Sequence, residues 1–216
     1  MADLIIACLS QKGGVGKSTL ARLIATAYAA HDQRVGIMDF NGAQETSTFW
    51  SRQRQSAKIT PEIHAEVVTQ ANRMRGDRRF DVIVADGRPD SPEVTLSIAR
   101  EADLVVVPTS VTVDDLVPQL RFARELVAKG VPRERILFVI NRVTENKLLV
   151  QDSLDFIGGE FRVAPTTLPY RDAFIRCHTA GYSVGEVKSA VMGNMTNLSA
   201  TTNALAVEIA GAAAME

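Results

Sequence analysis

The sequence predicts an α/β fold with a mostly parallel central sheet flanked by helices, and three observations carry that prediction. Five short runs, LIIACLS (4–10), RVGIMDF (34–40), FDVIVADG (80–87), ADLVVVPTS (102–110) and RILFVINR (135–142), are nearly continuous in Val, Ile and Leu. They are too short for typical helices and have the pattern of strands covered on both faces. Helix-like stretches over roughly 90–100, 112–129, 145–157 and 184–212 alternate with them, as βα units require. Finally, the first run leads through glycines into TLARLIATAYAAH (19–31), where Leu20, Leu23, Ile24, Ala27 and Tyr28 recur at helical spacing. FRVAPTTLP (161–169) is a weaker sixth run, and HAEVVTQANRMRG (64–76) reads as a helix, either in an insertion or in the main layer.

A chain of 216 residues suits one large domain, expected here over 1–216, with no repeat, linker or low-complexity segment. The 24 Lys+Arg against 25 Asp+Glu leave a net charge of −1, so any nucleic-acid binding has to come from a local patch. Cys8 and Cys177 are far apart, form no CxxC pair and read as buried small hydrophobes in a reducing compartment. No basic n-region with an apolar core and cleavage site opens the chain, and no uncharged apolar run reaches 18 residues; the expectation is a cytoplasmic protein without membrane attachment.

SQKGGVGKSTL (10–20) carries the chemistry. Glycines keep side chains away from the chain, so the backbone N–H groups of Gly13, Gly14, Val15 and Gly16 and the following helix N-terminus form an anion cradle. Lys17 is placed for the β- and γ-phosphates of a nucleotide, the Ser18 hydroxyl for Mg2+, and Thr19 for phosphate from the first helical turn. The generic phosphate-loop pattern wants glycine at position 11, where this chain has Gln11. What stands instead, K-G-G-V-G-K-S-T, resembles the deviant Walker A sequence of the ParA/MinD family of ATPases. The resemblance implies a P-loop NTPase fold, ATP with Mg2+, and an ATP-dependent homodimer in which Lys12 reaches phosphate bound by the other subunit.

Asp39 and Asp86 close the second and third runs, where carboxylates beside a phosphate loop hold Mg2+ or position water. By resemblance, FDVIVADG is the Walker B segment, with Asp86 near the metal and Gly87 near the γ-phosphate. DFNGAQ resembles the family's D-x-D-P-Q stretch, with Asp39 as its first carboxylate, Asn41 in the place of its second and Gln44 as its glutamine. Asparagine orients water but takes no proton, so hydrolysis is expected to be slow, with Lys12, Lys17, Asp39 and Asn41 as the catalytic set. GRPDSPE resembles a second switch region containing Arg88, and VPTSVTVDDL a strand and loop containing Pro108 and Thr109.

VINRVT (139–144) resembles the family's base-binding strand end, which implies Asn141 and Arg142 beside adenine; no N-K-x-D guanine motif occurs. TTLPYRDAFIRCHTAGYSVGEV (166–187) resembles the family's late signature, with Arg171 in its loop, and extends the likeness over essentially residues 3–190. The resemblance implies a DNA-segregating or cargo-positioning ATPase that associates with the nucleoid through nonspecific double-stranded DNA binding. A cargo adaptor or centromere-binding protein would stimulate its turnover. Arg73, Arg75, Arg78 and Arg79, or Arg133, Arg135 and Lys147, are the candidate DNA patches. The Ala-rich, acidic ending speaks against a membrane-targeting helix, and the chain starts at its first strand without the helix-turn-helix domain of larger relatives. The alternatives are a nucleotide-gated scaffold with negligible turnover, or a member of the same ATPase family that binds no DNA.

Overall fold

Branched apolar residues without turn formers favour extended chain, and each of the five expected runs contains a strand. They are β1 (Leu4–Cys8), β2 (Val35–Asp39), β4 (Val82–Asp86), β5 (Leu104–Thr109) and β6 (Ile136–Val143) in a computed structural model that describes residues 1–143, 146–187 and 196–215. Their side chains alternate between two cores. Ile5, Ala7, Ile83, Ala85, Val105 and Val107 enter one, while Ile6, Cys8, Val82, Val84, Leu104 and Val106 enter the other. The first core is closed by α4 (Pro92–Glu101), α5 (Val113–Ala128) and α6 (Lys147–Gly158). The second is closed by α1 (Lys17–Ala29), α2 (Thr46–Ser56) and α8 (Thr196–Ala213), with Phe174 of α7 (Asp172–Thr179) packed against it.

Two expectations change. The 64–76 segment is not a helix: it forms β3 (His64–Val67), paired in parallel with β2, and a single helical turn, α3 (Arg73–Gly76). The open side of β2 decides this. Ala65 and Val68 face opposite cores, and Val68 N–H donates to Asp39 C=O at 3.0 Å, which a helix would forbid. The weak 161–169 run splits into two short pieces on β6, β7 (Arg162–Val163) and β8 (Leu168–Pro169), with Pro165 between them; proline brings no N–H to a ladder. Of the expected 184–212 helix, 184–186 is a 3₁₀ turn and α8 is helical, while 188–195 lie outside the described residues, as do 144 and 145.

Strand order is β3-β2-β4-β1-β5-β6-β7, with β8 also on β6, and all ladders are parallel. The chain therefore leaves β1 toward one side of the sheet, returns to its neighbour β4, and continues on the other side. Such a reversal opens a crevice at the C-terminal ends of the central strands. In register, Asp86 lies beside both Cys8 of β1 and Asp39 of β2, so the two acidic strand ends and the glycine loop meet there.

Candidate phosphate-binding site

The glycine loop joins the end of β1 to the start of α1. Gly16, at φ 105, is the N-cap of α1, and a Cβ there would stand 1.9 Å from Asn141 Nδ2, so a larger residue would strain the backbone and displace Asn141. Gly13 and Gly14 are exposed, Val15 is buried, and Ser18 and Thr19 are half-buried in the first helical turn. No acidic side chain occupies that turn, which leaves the N-terminal N–H groups and the helix dipole available to an anion. The Lys17 ammonium donates to the Lys12 carbonyl at 3.0 Å. Burial lowers its pKa, and the nearby Asp86 carboxylate opposes that shift.

Behind the loop lies a buried polar cluster. Asp39 Oδ1 accepts from Asn41 N–H at 3.0 Å, and Oδ2 accepts from Ser47 N–H at 2.9 Å and Thr48 N–H at 3.3 Å, tying the first turn of α2 to the end of β2. Asp86 Oδ2 accepts from Ser47 Oγ at 2.6 Å, and the nearby Ser18 hydroxyl favours its ionised form. Burial, then the adjacent Asp39 charge, pushes the Asp86 pKa up to about 6. The buried Arg22 donates from Nη2 to the Thr46 carbonyl at 2.6 Å, and its charge acts on both carboxylates. The Ser18 hydroxyl and the Asp86 carboxylate are neighbouring hard oxygen donors suited to Mg2+, which is held through one or two protein oxygens with phosphate and water completing its shell. Among the described residues no group of three or more His, Cys, Asp or Glu could hold a metal, and such a magnesium site needs none.

The rim is built differently. Lys12 is ion-paired with Asp115 and donates to the Asp114 carbonyl at 3.3 Å, so its side chain folds back onto α5. Asn41 Nδ2 donates to Gln44 Oε1 at 2.9 Å. Asn141, at the end of β6, donates to the Val15 carbonyl at 3.1 Å; Arg142, at φ 61, donates to the Gly14 carbonyl at 2.8 Å and lies 5.0 Å over the Tyr170 ring. Gly87 approaches β1 closely: its N–H donates to the Cys8 carbonyl at 3.1 Å, and a Cβ would meet the Leu9 side chain at 2.5 Å. Arg88 pairs with Asp90, and Thr109 is buried at the end of β5.

The structure therefore brings Lys12, Lys17, Ser18, Asp39, Asn41, Asp86, Asn141 and Arg142 to one edge. Sequence reasoning passed over Ser47, Arg22 and Asp115. Arg22 alone left a local trace, an arginine four residues after Ser18 and thus on the same helix face. The expected DNA patches are partly engaged within the fold: Arg75 pairs with Asp103 and Arg79 with Glu66 and Asp77, while Arg133 donates to the Glu160 carbonyl and keeps its charge. Among the described residues no helix is long and apolar enough to cross a membrane.

Known proteins resemble this chain in sequence and in fold. The VirC1 protein family matches residues 3–214. Protein virC1 of Rhizobium radiobacter is 25% identical over 184 residues, covering 76% of each chain. The maintenance of carboxysome distribution protein A of Gloeobacter kilaueensis is 27% identical over 185 residues, covering 82% of this chain and 78% of its own. The septum site-determining protein MinD of Pyrococcus horikoshii, solved with Mg-ADP, superposes with a TM-score of 0.73 at 15% identity over 99% of both chains. At that identity the likeness is one of fold, and it is the fold that the K-G-G-V-G-K-S-T resemblance implies.

Proposed function

The chain belongs to the VirC1 family, and on that footing we propose that it is an ATPase that positions or partitions a cargo, binding ATP and Mg2+ at the loop over residues 12–19. The observation that carries this reading is the convergence of Lys17, Ser18 and Asp86 behind a glycine loop whose first lysine, Lys12, stands outside on the rim. The Mg-ADP bound to the MinD structure and the distribution role in the carboxysome protein's name support it.

In this reading the backbone N–H groups of Gly13 to Gly16 receive the phosphates, and Lys17 leaves the Lys12 carbonyl to join them. Ser18 and Asp86 hold Mg2+, which offsets negative charge on the phosphates. Arg142, stacked on Tyr170, offers a planar face beside the loop for adenine, with Asn141 next to it. Lys12 exchanges Asp115 for phosphate of a second subunit, which makes dimerisation ATP-dependent. Asp39 is committed to three backbone N–H groups and Asn41 cannot take a proton, so no strong general base faces the phosphate. Turnover is then slow and rests on electrostatic positioning until a partner stimulates it. The ATP dimer associates with nonspecific double-stranded DNA, and hence with the nucleoid, and carries an adaptor-bound cargo.

The test is binding to a random-sequence DNA duplex in ATP, in ADP and without nucleotide, across a salt series. ATP-selective, salt-sensitive binding is expected, lost in Lys12→Ala, which still takes up ATP, and in Lys17→Ala, which does not. DNA binding that ignores nucleotide, or none at all with ATP bound, sinks the DNA-tethered reading. The second outcome favours a nucleotide-gated scaffold, the reading that Asn41 in the second carboxylate position motivates.

A further inference from the structure

Helix α5 holds the segment ahead of the glycines at three consecutive residues. Gln119 Nε2 donates to Ser10 Oγ at 2.7 Å, Gln11 Nε2 donates to Glu125 Oε2 at 3.2 Å, and Lys12 pairs with Asp115. Only the first contact is buried: Ser10 is 0% and Gln119 1% exposed. Gln119 Oε1 is buried without a hydrogen-bond partner among the described residues. A buried acceptor left unpaired is destabilising, and an apolar side chain of the same length would avoid it. What the amide supplies is therefore its N–H to Ser10.

That donation completes a chain of bonds. The Ser10 hydroxyl donates to the Lys12 carbonyl at 3.2 Å and accepts from the Lys12 N–H at 3.0 Å. With Gln119 as its second donor, the one proton and both lone pairs of the hydroxyl are used. The same Lys12 carbonyl receives the Lys17 ammonium at 3.0 Å. One path thus runs from the middle of α5 through Ser10 and the Lys12 peptide to the phosphate-binding lysine.

We propose that Gln119 is a positioning residue for the phosphate loop: by committing the Ser10 hydroxyl it fixes the two peptide groups that flank the Lys12 Cα, and with them the carbonyl from which Lys17 is released to phosphate. Gln119 touches no phosphate itself. Without it the Ser10 hydroxyl is held by the Lys12 backbone alone and loses its anchor on α5, so the Lys12 backbone shifts more readily and the row of N–H groups behind it loses its alignment. The consequence for nucleotide affinity rests on the function proposed above; the consequence for loop rigidity does not.

Gln119→Met keeps the side-chain length and removes both ends of the amide. In the full chain, its unfolding midpoint should equal or exceed the parent's. Amide hydrogen exchange over residues 10–17 without nucleotide should speed up, and affinity for a fluorescent ATP analogue with Mg2+ should fall roughly three- to tenfold. Ser10→Ala alone should reproduce the faster exchange, and Gln119→Met added to Ser10→Ala should change neither readout further. Parental exchange in Gln119→Met overturns the proposal, as does a full-sized effect in the Ser10→Ala background. A lowered midpoint with exchange and affinity unchanged would make Gln119 merely structural, and also overturns it. If the parent binds the analogue no better than Lys17→Ala, the nucleotide reading fails, and the exchange measurement still decides the role of Gln119.

Discussion

Asp39 and Lys12 both bring charge to the C-terminal edge of the sheet, yet Asp39 is 1% exposed and holds three backbone N–H groups, whereas the Lys12 side chain is 45% exposed and holds one carboxylate across a rim. The difference separates what fixes the site from what it can exchange. Buried charge is tolerated when it is paired or hydrogen-bonded, and it then locks the elements that answer it. An exposed pair is screened by water and salt and can be traded for another partner at little cost. The inner cluster is accordingly a scaffold, and the rim is where a ligand or a second subunit can intervene.

The comparison breaks first at Asp39. Asp39→Ala leaves the Asn41, Ser47 and Thr48 N–H groups without their acceptor in a closed environment and unties α2 from β2. The expected loss is about 3 kcal/mol of unfolding free energy, read from the midpoint and slope of denaturant curves. A loss below about 1 kcal/mol would mean that water replaces the carboxylate and that the inner cluster is no scaffold.

Asp86 tests the same cluster with the opposite sign. Its folded pKa, about 6, lies above the ordinary value of 3.8, because burial and then Asp39 disfavour its charge. The folded state therefore holds a proton more tightly than the unfolded chain between those values, and the ionised carboxylate weakens the metal-free fold above about pH 6. Asp86→Asn keeps an acceptor for Ser47 and removes the charge. In chelator it should be more stable than the parent by about 3 kcal/mol at pH 7.5, and the gap should close as the pH falls through 6 toward 4. A gap constant across that range would show that Asp86 is already neutral or already compensated. The same variant should lose Mg2+-dependent turnover, which would place function and stability in opposition at one carboxylate.

Legibility in the sequence followed distance along the chain. The glycine loop, its two lysines and Ser18 are contiguous, and Asp39 and Asp86 each end an apolar run, so local pattern was enough to gather them. Ser47 meets Asp86 across 39 residues and Gln119 meets Ser10 across 109; nothing in either neighbourhood announces the pairing. The 64–76 segment was misread for a related reason. Its helical spacing is a local property, but its fate was set by the free edge of β2, which only the assembled sheet exposes. The Lys12 partner is equally hidden: the resemblance of VPTSVTVDDL (107–116) points to its strand end at Pro108 and Thr109, and Asp115 lies 103 residues from the lysine it holds.

The smallest expected effect falls on that pair. Lys12→Ala breaks the contact with Asp115, but the lysine side chain is 45% exposed, and Asp115 retains the Ser110 hydroxyl at 2.5 Å, so the carboxylate is not stranded. Unfolding free energy should change by less than about 1 kcal/mol, and by less still in high salt. A change approaching that of Asp39→Ala would erase the distinction between rim and interior. A small change accompanied by loss of ATP-dependent dimerisation would sharpen it: the lysine would then matter for what it can leave, because the fold asks so little of where it rests.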